Sequence, residues 1–218
     1  MLVICRFFLY FIIYSFLGWL IEVGCKSIQY KRFVNRGFLL GPICPIYGYG
    51  VLFIVLLIGD DTSDILSVFL KSILICSVLE YFTSYFMEKL FKVRWWDYSN
   101  NKFNINGRIC LETMIPFGLL GTLVVYVIHP LIVRFVNLFS SKFLIIIGII
   151  LFIAYFIDNI LSFNVMNKIK KEIKKYSGDS TEIIKRKVTN WLEANSFLYR
   201  HLKKAYPKFR IIQRLKKK

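Results

Sequence analysis

The stretch NRGFLLGPICPIYGYG, residues 35–50, leads directly into the apolar run VLFIVLLI of residues 51–58. Between Gly37 and Gly50 the chain places four glycines and two prolines, the residue types that break helices. In lipid, irregular backbone is tolerated only where protein buries it or a watered cavity reaches it. The stretch is therefore expected either to face the interior of a helix bundle or to form a kinked entry that lets helices pack closely.

The composition around this stretch is that of an all-α polytopic membrane protein. The chain has 218 residues, of which 56% are hydrophobic, whereas soluble domains average roughly 45–50% apolar residues. Hydropathy predicts five transmembrane helices, the second of them broken by glycine and proline. The first apolar run begins near Met1 without a basic n-region or a cleavage site, so it is expected to be a span and not a signal peptide. The predicted spans are residues 4–23, 38–58, 65–86, 109–133 and 142–163.

The connections between these spans differ in charge. Loops 24–37 and 87–108 are basic, as is the C-terminal tail, whereas loop 59–64 carries three aspartates and loop 134–141 has one arginine as its only charged residue. The positive-inside rule predicts a multi-pass protein of the plasma membrane, with the N-terminus outside and the C-terminus in the cytoplasm.

Residues 166–218 are predicted to form a basic cytoplasmic tail that follows a transmembrane domain of residues 1–165. From residue 164 onward there are 17 Lys and Arg but only 4 Asp and Glu. We expect this tail to meet anionic lipid and not nucleic acid, because basic segments beside a span are attracted to the inner leaflet. Ile184, Val188 and Trp191 at helical spacing predict an amphipathic helix, which either lies on the leaflet or docks against the cytoplasmic loops.

The two halves of the chain share a layout. A span with Glu22 and a loop ending in residues 35–37 (NRG) are matched by a span with Glu80 and Glu88 and a loop ending in residues 106–108 (NGR). Each loop is followed by a returning segment rich in glycine and proline. The layout predicts a parallel helical-hairpin repeat followed by one extra span, although low identity between the halves leaves chance resemblance open. Interrupted apolar segments at matching positions of two halves point to a binding site in transporter-like folds.

Four of the five predicted spans bring a carboxylate to their cytoplasmic half. Such groups cost roughly 2.5–3.5 kcal/mol each on insertion scales, so each needs a reason. Glu22 could form a plain helix ion pair with Lys26, and Glu88 could be an interface residue. Glu80 lies too deep for so short a side chain to reach the surface. Together these residues predict a polar chamber that opens to the cytoplasm.

The cytoplasmic loop VRWWDYSNNKFNINGR, residues 93–108, could form a lid over this chamber. Its aromatic residues could also form an interfacial belt, while its aspartate and asparagines indicate a hydrogen-bonded loop. Arg36 and Arg108 are the expected counter-charges, because a guanidinium binds carboxylate or phosphate in two places. The candidate chamber residues are Glu22, Asn35, Arg36, Gly41, Pro42, Pro45, Tyr47, Glu80, Ser84, Glu88, Trp96, Asp97, Asn104, Arg108, Glu112 and Asp158.

No metal site and no cofactor is predicted. The five cysteines are dispersed and form no CxxC pair. His129 and His201 are the only histidines, and neither is expected near the chamber.

Five segments resemble the bacterial family described as "putative ABC-transporter permease, type IV" (CmpB-like), over about residues 7–210. They are FLGWLIE, NRGFLLGPICPIYGYG, EYFTSYFMEKLFKVRWWDYS, FNINGRICLE and RHLKKAYP. The resemblance implies a polytopic membrane protein of a transport system without an established substrate. The family motifs map here onto Glu22, Asn35, Arg36, Gly37, Gly41, Pro42, Pro45, Tyr47, Gly48, Glu80, Glu88, Trp95, Trp96, Asp97, Tyr98, Asn104, Gly107, Arg108 and Glu112.

Three functions remain open on these grounds. The first is a transport-related membrane subunit. Because the chain lacks a GxxxxGK[ST] phosphate loop, that function requires a separate nucleotide-binding ATPase subunit, and so few spans favour a homo-oligomer. The second is an intramembrane enzyme acting on a lipid-linked or anionic substrate, although HExxH and GxSxG motifs are absent. The third is a membrane scaffold or sensor that works through its basic tail.

Overall fold

The computed structural model describes residues 1–59, 62, 64–175, 183, 186–188, 190–191 and 210–211 of an all-α polytopic membrane protein. Within these described residues, four helical segments are long and apolar enough to cross a membrane, namely Leu2–Tyr30, Ile65–Phe91, Leu111–Asn137 and Ser141–Lys175. The predicted fold class is thus confirmed. The helices are α1 (Leu2–Tyr30), α2 (Pro45–Ile58), α3 (Ile65–Phe91), α4 (Leu111–Leu123), a π-helical segment (Val124–Ile128), α5 (His129–Asn137) and α6 (Ser141–Lys175).

The second predicted span is a helix over only part of its length. Helix α2 has 14 residues and begins at Pro45, which suits proline because the first helical position has no hydrogen-bonded N–H to lose. At 1.5 Å per residue this helix is about 21 Å long, short of a hydrocarbon core of roughly 30 Å. Residues 31–44, which we call the irregular segment, form no helix or strand. The predicted glycine and proline break is therefore the irregular segment that precedes a short helix.

Two neighbouring helices satisfy the backbone of the irregular segment. The amides of Leu40 and Gly41 each donate to the Asp158 carboxylate of α6 at 2.9 Å, and the amide of Cys44 donates to the Ser15 carbonyl of α1 at 2.9 Å. Leu39, which directly precedes these anchors, is fully buried. Protein thus covers this backbone, as irregular structure at membrane depth requires.

Helices α1 and α2 approach each other through glycine. A Cβ atom at Gly48 would meet Ser15 Oγ and would lie 2.6 Å from the carbonyl oxygen of Phe11, and a Cβ atom at Gly18 would meet the ring of Tyr47. Small residues at helix interfaces in membranes allow this close backbone contact. The glycines of the opening stretch therefore serve packing in α2 as well as the break before it.

Helices α3 and α4 pack in a comparable way. Gly118 faces the ring of Phe69, and Gly121 faces Ser72 so closely that a Cβ atom would clash with it. The pairs α1–α2 and α3–α4 therefore both form packed hairpins. That the hairpins are copies of one parallel repeat stays a prediction.

The connection between α3 and α4 contains short strands: β1 (Val93–Arg94), β2 (Asn104–Ile105) and β3 (Ile109–Cys110). Strands β2 and β3 pair antiparallel around Asn106 and Gly107, whose φ angles are +53° and +66°. Two successive positive φ angles make the tight hairpin turn for which Asn-Gly is the preferred sequence. Strand β1 pairs antiparallel with β4 (Arg210–Ile211).

Helix α6 continues beyond the predicted end of the fifth span, residue 163, and across the predicted domain boundary at 165/166. Its last turns are covered by protein, because Met166, Ile169 and Ile173 are buried against other apolar residues of the chain. The cluster comprises Phe91, Val93, Trp95, Val165, Met166, Ile169, Ile173 and Val188. Much of the predicted amphipathic tail helix, including Ile184 and Leu192, lies outside the described residues.

Candidate functional site

A cavity of about 230 Å³ lies between α1, α2, α3, α4 and the π-helical segment. It extends along α1 from Tyr14 to Glu22, a rise of about 12 Å. Most of its wall is apolar, whereas the sequence predicts a polar chamber lined by carboxylates and arginines. The apolar wall comprises Leu17, Ile21, Ile46, Val51, Ile54, Leu79, Phe117, Leu120, Val124 and Ile128. Six polar side chains are gathered at one end, which we call the polar end. They are Glu22, Arg36, Tyr47, Glu80, Trp96 and Tyr98.

Glu22 holds the first half of this polar end together. Tyr47 Oη donates to Glu22 Oε1 at 2.9 Å, and Arg36 Nε donates to Glu22 Oε2 at 3.4 Å. Asn35, next to Arg36, accepts a hydrogen bond from Trp19 Nε1 at 2.6 Å. One carboxylate of α1 thus binds both the irregular segment and α2.

Glu80 of α3 supplies the second carboxylate, and it is 7% exposed. Tyr98 Oη donates to Glu80 Oε1 at 3.3 Å. Glu80 Oε2 is buried and has no hydrogen-bond partner among the described residues. A buried acceptor left unsatisfied costs roughly 1–3 kcal/mol, and more when it is charged. A hydrogen-bond donor placed in the cavity beside this oxygen would remove that cost.

Tyr98 belongs to the connection that follows α3, outside the spans. Burial, together with the negative charges of Glu80 and Glu22, raises the pKa of its hydroxyl well above the ordinary value of 10.0. The hydroxyl therefore stays protonated throughout the physiological pH range and continues to donate to Glu80. Each carboxylate of the cavity is thus paired with a tyrosine, Tyr47 for Glu22 and Tyr98 for Glu80.

The far end of the cavity contains Tyr14, whose hydroxyl forms a 2.8 Å hydrogen bond with His129 Nδ1. His129 directly follows the π-helical segment and precedes Pro130, which has no amide hydrogen to donate. Single π-helical turns occur frequently at functional sites. His129, which is expected to lie away from the chamber, therefore contacts the far end of the cavity through Tyr14.

A second charged cluster, which we call the loop clamp, lies outside the cavity lining and consists of Glu88, Arg94, Asp97 and Arg108. Glu88 Oε2 accepts from Arg94 Nη2 at 2.8 Å and from Arg108 Nη2 at 3.0 Å. Arg94 Nη1 lies 3.4 Å from Asp97 Oδ1, and the Arg108 guanidinium stacks on the ring of Tyr81. These contacts hold the connection 92–110 onto α3, so Arg108 neutralises Glu88 and not the cavity carboxylates.

The predicted site residues fall into separate groups. Glu22, Arg36, Tyr47, Glu80 and Trp96 line the cavity. Asn104, which accepts from the Gly107 amide at 2.9 Å, stabilises the β2–β3 turn beside the loop clamp. Gly41 and Pro42 belong to the irregular segment, and Asp158 of α6 anchors it. Pro45 is the first residue of α2. Ser84 is buried one turn beyond Glu80 on α3.

Glu112 does not line the cavity with Glu80. It is exposed at the start of α4 and accepts a 2.5 Å hydrogen bond from Asn101 Nδ2. The carboxylates that meet in the cavity are therefore one from α1 and one from α3.

The candidate chamber residues do not include Tyr98, although the family motifs map onto it. The signal that could have found it is the Asn106-Gly107 dipeptide, the strongest short-range hairpin signal. The hairpin brings the Gly107 carbonyl back to accept from the Tyr98 amide at 2.8 Å. That contact fixes the backbone of Tyr98 close to α3, where its hydroxyl reaches Glu80.

A family model described as "Putative ABC-transporter type IV" matches residues 9–163. That range includes every residue that lines the cavity, from Tyr14 to Ile128. Neither the curated proteins nor the solved structures contain a match to the chain.

Proposed function

Since the chain belongs to the family described as "Putative ABC-transporter type IV", we propose that this transporter component binds the transported molecule in the cavity between α1 and α4. Tyr14, Tyr47, Glu80 and Tyr98 are the proposed contact residues at its two ends.

The observation that carries this proposal is the position of Glu80. An ionisable residue within a transmembrane helix is costly and marks a substrate or ion path by default. Glu80 lies in such a helix, lines the cavity and leaves one carboxylate oxygen without a partner among the described residues. A purely structural carboxylate would be expected to have both oxygens bonded, as Asp158 has.

The proposal includes an orientation. The polar end of the cavity is formed with Arg36 of the irregular segment and with Trp96 and Tyr98 of the connection after α3, and both segments lie in basic loops. By the positive-inside rule these loops face the cytoplasm. We therefore place the N-terminus outside, the C-terminus in the cytoplasm, and the polar end of the cavity toward the cytoplasm.

The proposal also includes partners. A nucleotide-binding subunit with its own phosphate loop would supply the energy, because the sequence lacks that motif. A second copy of the chain would complete the transport path, and anionic lipid would contact the basic tail.

A cavity-filling variant tests the binding site. Leu120 lines the cavity and Leu119, its neighbour on α4, is 61% exposed on the outside. We expect protein purified in lipid nanodiscs to retain a small molecule, detected by native mass spectrometry, in the wild type and in Leu119→Trp. Leu120→Trp should lose it, because the larger side chain occupies the cavity. Equal retention in all three proteins, or none in the wild type, would argue against the cavity as the binding site.

A further inference from the structure

The polar end of the cavity carries an excess of negative charge. Among the described residues that line it, Glu22 and Glu80 are acidic and Arg36 is the only base. Arg36 is paired with Glu22, so Glu80 is the carboxylate without a basic partner. Charge complementarity at this end favours a cation over an anion.

The second observation is independent of this count of charges and concerns hydrogen bonding. Glu80 is more than nine-tenths buried, its Oε1 accepts from Tyr98, and its Oε2 has no partner among the described residues. The oxygens of an ionised carboxylate can only accept hydrogen bonds, so the partner that ionised Glu80 lacks is a donor. A hydrogen bond between a charged donor and a carboxylate is about twice as strong as a neutral one.

A metal ion held by three His, Cys, Asp or Glu side chains is a poor candidate for this cation. In the part of the chain that the structure describes, no group of three His, Cys, Asp or Glu residues could hold a metal ion.

The aromatic rings at the polar end favour a different cation. Trp96, Tyr47 and Tyr98 line the cavity with Glu80, and aromatic faces attract ammonium groups through cation–π interactions.

The rest of the cavity selects for an apolar body attached to that cation. Leu17, Val51, Ile54 and Leu120 form part of an apolar wall that extends from the polar end along α1. At about 230 Å³, the space is smaller than the roughly 300–1,000 Å³ of drug-sized pockets. The occupant that matches these dimensions is a small molecule with one charged end.

We propose that the cavity binds a lipophilic organic ammonium ion, with its N–H donating to Glu80 Oε2 and its apolar body along the wall formed by α2 and α4. The proposal rests on the proposed function, since it names the class of molecule that the same site takes.

Three probes of nearly equal shape test this assignment: 2-phenylethylamine, 2-phenylethanol and 3-phenylpropionate, which are cationic, neutral and anionic at pH 7. Binding is measured by calorimetry on the full chain in lipid nanodiscs. We expect the wild type to bind the amine at least about tenfold more tightly than either other probe, in keeping with the strength of a charge-assisted hydrogen bond.

Glu80→Gln should weaken amine binding by roughly 10- to 100-fold, because it removes the charge and keeps the size. The matched control is Glu112→Gln, which alters an exposed carboxylate outside the cavity and should leave amine binding unchanged. Size-exclusion profiles and thermal transitions like those of the wild type show that both variants are folded.

The outcomes separate this assignment from the proposed function. Preferred binding of the alcohol or the anion, or an unchanged affinity in Glu80→Gln, overturns the ammonium assignment and leaves the cavity as a binding site. If the wild type binds none of the three probes, the assignment is also overturned, and the retention experiment with Leu120→Trp then decides the proposed function by itself.

Discussion

Asp158 binds two consecutive backbone amides of the irregular segment and so replaces hydrogen bonds that a helix would have supplied there. Its two carboxylate oxygens accept from the Leu40 and Gly41 amides, and Oδ1 also accepts from Ser162 Oγ at 3.2 Å. A hydrogen bond to a charged group contributes about 1.5–3 kcal/mol. The irregular segment is therefore held by α6 through Asp158, in addition to its contacts with α1.

We expect Asp158→Asn to loosen this segment, because the amide nitrogen of asparagine cannot accept the hydrogen bond of a backbone amide. Cys44, at the end of the segment, is buried and should react with N-ethylmaleimide several-fold faster in the variant, as followed by peptide mass spectrometry. Cys25 is exposed and reports equal reagent access. Asn159→Ala on the same helix is the control, and a Cys44 rate in Asp158→Asn equal to that of this control would contradict the anchoring role.

Sequence reasoning at this scale located Glu80, but it could not determine which carboxylate Arg108 pairs with, for a physical reason. The depth of a carboxylate follows from its position in an apolar run, and depth alone makes Glu80 costly. Which arginine meets which carboxylate depends on the backbone of the connecting loops. Arg108 follows a tight turn that directs it to Glu88 and the ring of Tyr81, and that turn has no hydropathy signal.

At the scale of elements, α1 and α2 depend on close glycine contacts. Gly48 lies against the Phe11 carbonyl and Ser15, while Gly24 of α1 has nothing within 4 Å of its would-be Cβ. Gly48 is crowded and Gly24 is not, and both belong to the same helix pair. Alanine substitutions at the two positions therefore form a matched test of packing.

Gly48→Ala should lower the melting temperature of the detergent-solubilised protein, because overpacking costs typically about 1–3 kcal/mol. Gly24→Ala should leave the melting temperature unchanged or raise it slightly, since alanine is favoured over glycine inside a helix by roughly 0.5–1 kcal/mol. Equal melting temperatures for the two variants would show that the α1–α2 contact is looser than described.

The β2–β3 hairpin offers a second test at this scale. Gly107 and Gly59 both have positive φ, +66° and +56°, but only a Cβ at Gly107 would meet neighbours, among them Asp97 Oδ1 at 2.7 Å. Alanine is disfavoured at both positions, because both φ angles are positive, and the ψ of Gly59, −131°, lies outside the left-handed helical region. Gly107→Ala should lose more of the affinity for 2-phenylethylamine than Gly59→Ala, because only the β2–β3 turn positions Tyr98. An equal loss of affinity in Gly59→Ala would contradict this role of the turn.

For the whole molecule, hydropathy predicted the class and misplaced several helix ends, two of which have a clear physical reason. It could not detect that α2 begins only at Pro45, because residues 38–44 before it are apolar and are anchored by a residue distant in sequence, Asp158. It also ended the last span at 163, although α6 continues to Lys175. Ile169 and Ile173 are buried there by Phe91 and Val188, and such covering by protein depends on tertiary contacts.

The proposed orientation predicts a labelling pattern for the two ends of the bundle. Cys25 is exposed near the end of α1, and Ser140 is exposed between α5 and α6. In right-side-out vesicles a membrane-impermeant maleimide should label Ser140→Cys at once and Cys25 only after permeabilisation. The reverse order would place the polar end of the cavity outside the cell.

The central claim is that the cavity is reached from the cytoplasm through a negatively charged end. Cys76 lines the cavity one helical turn from Glu80, so its reaction with charged, membrane-impermeant methanethiosulfonates in inside-out vesicles is the most direct measurement. We predict that the trimethylammonium reagent modifies Cys76 at least about tenfold faster than the sulfonate reagent, as a charged cleft concentrates counter-ions, and that Glu80→Gln abolishes the difference. Equal rates for both reagents, or modification of Cys76 only from the opposite face of the membrane, would contradict the account.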